Sequence, residues 1–228
     1  MYNRSTQLIL NGTKEEVTAY IGELSARLRD ISVKLIVIDP LPPIPGFMIT
    51  IMGYIATQGL RIADWLKEPH LDSIDLIAHT TRSVFEACNI YTYLMADGGQ
   101  HFMERLTNEM KRDELDLIKD SLSRFDAASA PAGLVARQKE LEAECPPRNL
   151  KVWQLAEKAG AQSEYKTYYK TLSKYSHPTV YLLVGQRDHV YSQGPLRLLA
   201  ERAVIYLEGA VKDYEELLAY METGDKGE

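Results

Sequence analysis

Apolar residues recur at helical spacing along most of the chain. The first clear run is Val17, Tyr20, Ile21, Leu24 and Leu28, which places one apolar stripe on a helix. Thr13 followed three residues later by Glu16 supplies a capping box at its start, and the pattern predicts an end near Asp30. The β-branched run Val33 to Ile38 fits either a lone strand or a last helical stretch. Prolines between Asp39 and Gly46 remove amide donors and restrict their predecessors, so residues 39–46 are expected to be an extended linker.

Three long helices are predicted next. One runs from about Phe47 to Lys67 and stops before Pro69. A second runs from about Asp72 to Ala96, capped by Asp72 or Ser73 and stopped by Gly98-Gly99. A third, from about Gln100 to Ala128, alternates Glu, Lys, Arg and Asp as a solvated face does. Shorter helices follow: Leu134 to Glu144, then one capped by Asn149 that reaches Lys158 before Gly160. The next is capped by Ser163 and reaches Ser176 before Pro178. Val180 to Val184 is a short apolar run. Gly185 to Gly194 reads as a loop, and a final helix spans about Pro195 to Met221. These elements predict an all-α, single-domain multi-helix bundle over residues 1–222, with residues 223–228 a disordered tail.

Composition narrows the picture. The 228 residues carry a formal charge of −6, with 45% hydrophobic and 25% charged residues, which is ordinary globular usage. An acidic balance opposes non-specific attraction to nucleic acid, while leaving room for a local basic patch. Cys88 and Cys145 lie far apart. With no signal peptide read at the N-terminus, they are expected to be reduced thiols of a cytoplasmic protein. The most apolar stretch, Ile44 to Leu66, contains Arg61 and Asp64, so a core helix is expected there and no membrane span.

The helix predicted over Asp72 to Ala96 is apolar nearly all round, yet His79, Arg82, Glu86, Asn89 and Tyr93 fall within an arc of roughly 80°. Arg82 and Glu86 are i,i+4 neighbours and can pair. Burying such groups is costly unless they satisfy one another. The stripe is therefore either a structural network that fixes packing or a polar pocket for a ligand.

A second constellation is Tyr165-Lys-Thr-Tyr-Tyr-Lys-Thr-Leu-Ser-Lys-Tyr-Ser-His-Pro. At α-helical spacing Lys166, Lys170, Ser173 and His177 form one stripe, while Tyr165, Tyr168, Leu172 and Tyr175 form an aromatic face. His177 would sit in a last helical turn, either as a capping group or as a catalytic or ligand-binding one. No G-x-S-x-G elbow, HExxH motif or Gly-rich phosphate loop is present, so neither a metal nor a cofactor is expected.

Arg82-Ser-Val-Phe-Glu86-Ala-Cys-Asn89 and Tyr168-Tyr-Lys-Thr-Leu-Ser173-Lys-Tyr-Ser-His177 together resemble the R-x-x-x-E and S-x-x-x-H helices of an uncharacterised bacterial all-helical family of unknown function. The resemblance covers residues 70 to 185. It implies that Arg82, Glu86, Ser173 and His177 belong to one site, and it implies no activity. A more distant likeness is to the HEPN superfamily of helical nucleases and nucleotide-binding domains, which carry Arg, four to six residues, then His. Here Lys170 takes the place of the arginine, six residues separating it from His177. Lysine offers a point charge where arginine offers a planar fork.

Three function classes stay open, the last in rank being a hydrolase with Ser173 as nucleophile. In the first, a HEPN-like protein binds or cleaves a phosphate-containing ligand, RNA or a nucleotide. Arg82, Asn89 and Lys170 bind it, while His177, Ser173 and Glu86 form the catalytic set. In the second, the protein is a non-catalytic interaction module whose polar stripe is structural and whose charged helix meets a protein partner; a homodimer is compatible with either.

Overall fold

The computed structural model describes residues 4–37, 43–67, 73–96, 100–126, 129–144, 151–176 and 194–223. The helices are α1 (Arg4–Asn11), α2 (Lys14–Val37), α3 (Pro43–Lys67), α4 (Ser73–Met95), α5 (Phe102–Leu122), α6 (Ala132–Glu144) and α7 (Val152–Lys158). They are followed by α8 (Gln162–Glu164), a π-helical segment (Tyr165–Tyr169), α9 (Lys170–Tyr175) and α10 (Pro195–Thr223). No strand occurs among the described residues. The protein is an all-α multi-helix bundle.

The predicted capping box forms: the Thr13 amide donates to Glu16 Oε2 at 2.8 Å and the Glu16 amide to Thr13 Oγ1 at 3.2 Å. This helix does not stop near Asp30. It continues to Val37, which resolves Val33 to Val37 as helix, because Ile31 and Leu35 keep its core-facing stripe intact. A short helix, α1, precedes it where none was predicted.

The expected linker over residues 39–46 is corrected at its C-terminal end. Pro43, Ile44, Pro45 and Gly46 are already the first turn of α3. First-turn amides have no intrahelical acceptor, so prolines there sacrifice no hydrogen bond, and their fixed φ suits the helix. Residues 38–42 lie outside the described residues, as do Asp72, Gly98-Gly99, Asn149, the run Val180 to Val184 and the tail 224–228. Ser163 is not a cap: it lies inside α8, whose N-cap position is Ala161. Gly160 ends the preceding helix with φ +72°, a conformation that glycine adopts without Cβ strain.

The helices α2, α3, α4 and α10 pack together as the central bundle, with α9 laid against α4. Ile21, Leu24, Met52, Ile55, Leu66 and Tyr214 are among its most deeply buried side chains. The Tyr214 hydroxyl donates to the Met48 carbonyl at 3.2 Å, which satisfies the one polar atom of a fully enclosed ring. Gly59 allows a close helix approach: a Cβ there would clash with Ser25 Oγ and lie 3.1 Å from Leu207.

The pair α5–α6 stands apart. Its own small core is Leu115, Ile118 and Leu141, with Leu122 and Leu134 packed on it. Arg137 forks onto both oxygens of Glu114 at 2.7 Å, and Lys111–Glu144 and Lys119–Glu142 add further ties between the two helices. Arg105 joins this arm to the bundle. Its Nη1 donates to the carbonyls of Tyr93 and Ala96 at 3.1 and 3.0 Å, where the last carbonyls of α4 have no intrahelical donor.

Candidate functional site

The polar stripe of α4 is not uniformly buried. His79 is exposed, Arg82 and Glu86 are half-buried, and Asn89 is buried. Arg82 Nε donates to Glu86 Oε1 at 2.9 Å, with side-chain exposures of 24% and 32%. The expected i,i+4 pair thus exists and is half-buried.

The third member was not foreseen. The Tyr169 hydroxyl donates to the same oxygen, Glu86 Oε1, at 2.6 Å. The Arg82 guanidinium lies 4.8 Å from the centre of the Tyr169 ring, within cation–π range. Burial opposes the charge on Arg82, but its bond to Glu86 and the nearby carboxylate outweigh this and hold its pKa above the ordinary value. Burial, and then the bond to Glu86, raise the Tyr169 phenol. It therefore serves as a neutral donor.

A matching arrangement sits one layer further along. The Tyr206 hydroxyl donates to Glu164 Oε1 at 2.6 Å, Arg202 Nη1 reaches the same oxygen at 3.3 Å, and the Arg202 guanidinium lies 3.6 Å from the Tyr168 ring centre. Phe85 links the two sets, 5.6 Å from Tyr169 and 5.3 Å from Tyr206 between ring centres. Burial, then Glu164, raises the Tyr206 phenol as well. Each set neutralises a carboxylate with one guanidinium and one phenol, so no net charge is left in the aromatic layer.

The π-helical segment explains why Tyr169 was missed. Strict α-helical spacing puts Tyr165, Tyr168, Leu172 and Tyr175 on one face. A π turn holds one more residue than an α turn and rotates everything after it. The buried set is instead Tyr169, Leu172 and Tyr175, with Tyr165 and Tyr168 only half-buried. Tyr165 stacks on Tyr169 at 4.8 Å between centres, 23° from parallel.

The remaining predicted residues divide as follows. Asn89 donates to the Phe85 carbonyl at 2.9 Å and Ser173 to the Tyr169 carbonyl at 3.0 Å, each within its own helix. Lys170 and Lys166 are exposed. His177 lies outside the described residues. The two motif helices are neighbours, since α9 packs on α4, and the contact made with Glu86 comes from Tyr169. Among the described residues no three His, Cys, Asp or Glu side chains gather as a metal ion would require, and no helix is long and apolar enough to cross a membrane.

No curated protein and no solved structure matches this chain. A family model described as a family of unknown function matches residues 72–189, which take in α4 through α9 together with Arg82, Glu86, Asn89, Tyr169, Lys170, Ser173 and His177. Arg202 and Tyr206, which complete the second set, fall outside that span. With more than half its length matched, the chain belongs to the family of unknown function DUF5677.

Proposed function

We propose that this protein binds, or cleaves, a phosphate-containing ligand in the manner of HEPN-like helical proteins, on the face where α4 meets the helix running through Tyr165–Tyr175. The observation that carries the reading is a pair of exposed lysines four residues apart on an acidic protein. Lys166 and Lys170 are exposed, and no carboxylate pairs with either among the described residues. Arg82 is held at a half-exposed position on the ring of Tyr169, the residue just before Lys170. Arg82 and Lys170 would contact phosphate oxygens, with Lys166 extending the patch. His177 would act as general acid or base and Ser173 would orient it.

The test is fluorescence anisotropy with a labelled single-stranded RNA of about 16 nucleotides, with ADP as competitor. Lys166→Glu/Lys170→Glu is expected to weaken RNA binding by more than about tenfold and to lower the salt slope by about two ions. His177→Ala should retain binding and abolish any cleavage. Wild-type protein that binds neither probe, or a double variant with unchanged affinity, removes the proposal.

A second reading is a non-catalytic interaction module whose polar network only fixes packing. It is favoured by the closure of the network: Glu86 Oε1 accepts from both Arg82 and Tyr169, while Asn89 and Ser173 bond to their own backbones. This reading predicts that the wild-type protein neither binds nor cleaves the RNA probe.

A further inference from the structure

Beside Glu86, α4 bears a stripe that the described helices cover only in part: Ala87 and Leu94 are buried, while Ile90 stays exposed. Ser83, Glu86, Ala87, Ile90, Tyr93 and Leu94 recur at the spacing of one helix face. They form the floor of two adjoining cavities of about 360 Å³ each. Ile51 and Tyr54 of α3 wall the first, and Leu106 and Met110 of α5 wall the second. Phe47 and Ile90 line both, so the two adjoin at these side chains and together make up the groove. From Ser83 to Leu94 it runs about 16 Å along α4, three helical turns. Its rim exposes apolar side chains to water: Tyr54, Ile90 and, at 64%, Met110.

Among the described residues the charged side chains lining it are carboxylates: Glu86 at one end, already balanced by Arg82 and Tyr169, and Glu109 and Asp113 at the other. Arg82 and Arg112 pair with Glu86 and Glu109 from behind, and neither arginine lines the groove. Asp113 has no ion-pair partner among the described residues. Glu109 has a carboxyl raised by burial more than Arg112 lowers it, so a cation arriving from the open side would relieve it.

We infer that this groove receives one amphipathic, basic helix of a partner protein, about three turns long, with its apolar face on Phe47, Ile90 and Met110 and its lysines or arginines over Asp113 and Glu109. Length, apolar floor and one acidic end match the way an amphipathic helix is held in a groove, where apolar anchors supply affinity and end charges set direction. The groove lies on the α3–α5 side of α4 and uses neither Lys166, Lys170 nor His177, so it stands or falls separately from the phosphate-binding proposal.

The probes are two labelled peptides of about 14 residues, with leucine at i, i+3, i+4 and i+7 spacing and either lysine or glutamate elsewhere. Binding to the full chain is read by anisotropy. The lysine peptide is expected to bind more than about tenfold tighter than the glutamate peptide. Met110→Lys and Asp113→Lys, at positions exposed enough to spare the fold, should each weaken the lysine peptide by about tenfold or more, with melting temperatures unchanged. Lys166→Glu/Lys170→Glu should leave it unaffected. Equal binding of both peptides, or affinity indifferent to Met110→Lys and Asp113→Lys, overturns the inference. So does concentration-dependent self-association in sedimentation that Met110→Lys abolishes, because the occupant would then be a second copy of this chain.

Discussion

Tyr169→Phe removes a single oxygen and leaves the ring that Phe85, Tyr165 and Arg82 contact. What is lost is the 2.6 Å bond to Glu86 Oε1. A hydrogen bond to a charged acceptor is worth about 1.5–3 kcal/mol when buried. Glu86 keeps about a third of its side-chain surface in water, so solvent replaces part of the bond and the expected loss is about 1–2 kcal/mol. For a chain of this size that lowers the melting temperature by about 2–8 °C. Urea unfolding of wild type, Tyr169→Phe, Glu86→Gln and the double variant gives the coupling, expected near 1 kcal/mol. Tyr165→Phe is the control, since its hydroxyl makes no hydrogen bond among the described residues, and it should shift nothing. A Tyr169→Phe loss below about 0.5 kcal/mol, or a coupling indistinguishable from zero, would show that the triad does not hold α4 to the helix beyond it.

Other consequences are equally direct. Gly59→Ala should destabilise by about 1–3 kcal/mol through overpacking against Ser25 and Leu207; adding Ser25→Ala should recover part of this. Gly53→Ala, in the same helix with open space around the new Cβ, should stabilise by up to about 1 kcal/mol, both read by chemical denaturation. Burial, then Asp213, pushes the Cys88 thiol up to about 12, so it stays protonated at all ordinary pH values. In a Cys145→Ser background a thiol reagent at pH 8 should label the half-buried Cys88 far more slowly than it does in denaturant, and equal rates in the two would contradict the raised pKa. Arg105→Ala should speed amide exchange across α5 and α6 more than in α2 or α3, because it frees the tie to the end of α4.

The long helices were legible because each carries its own evidence: a reciprocal cap at Thr13 and Glu16, and apolar residues returning every third or fourth position. The Arg82–Glu86 pair was legible for the same reason, being a relation within one turn. Two kinds of information were not local. The start of α3 depended on where in the helix Pro43 and Pro45 fall: a proline in the first turn is harmless, whereas one in the interior breaks the helix. Tyr169 lies on a π turn that no residue pattern announces, so the aromatic face drawn at α-helical spacing took in Tyr165, Tyr168 and Tyr175, of which only Tyr175 is buried, and left Tyr169 out. The partnership of Glu164 with Arg202 and Tyr206 joins segments some forty residues apart, and only packing brings them together.

The arm formed by α5 and α6 has a thermodynamic consequence. Its private core is small, and Arg105 is a principal tie to the bundle, so it can open at a lower free energy than the bundle needs to unfold. Yet Leu106, Met110 and Asp113 on that arm are one wall of the groove. Opening the arm removes that wall, so anything seated against it must clamp the arm shut by mass action, by RT ln(1 + [L]/Kd). Occupancy would be written into the exchange rates of α6, a helix that never touches the occupant.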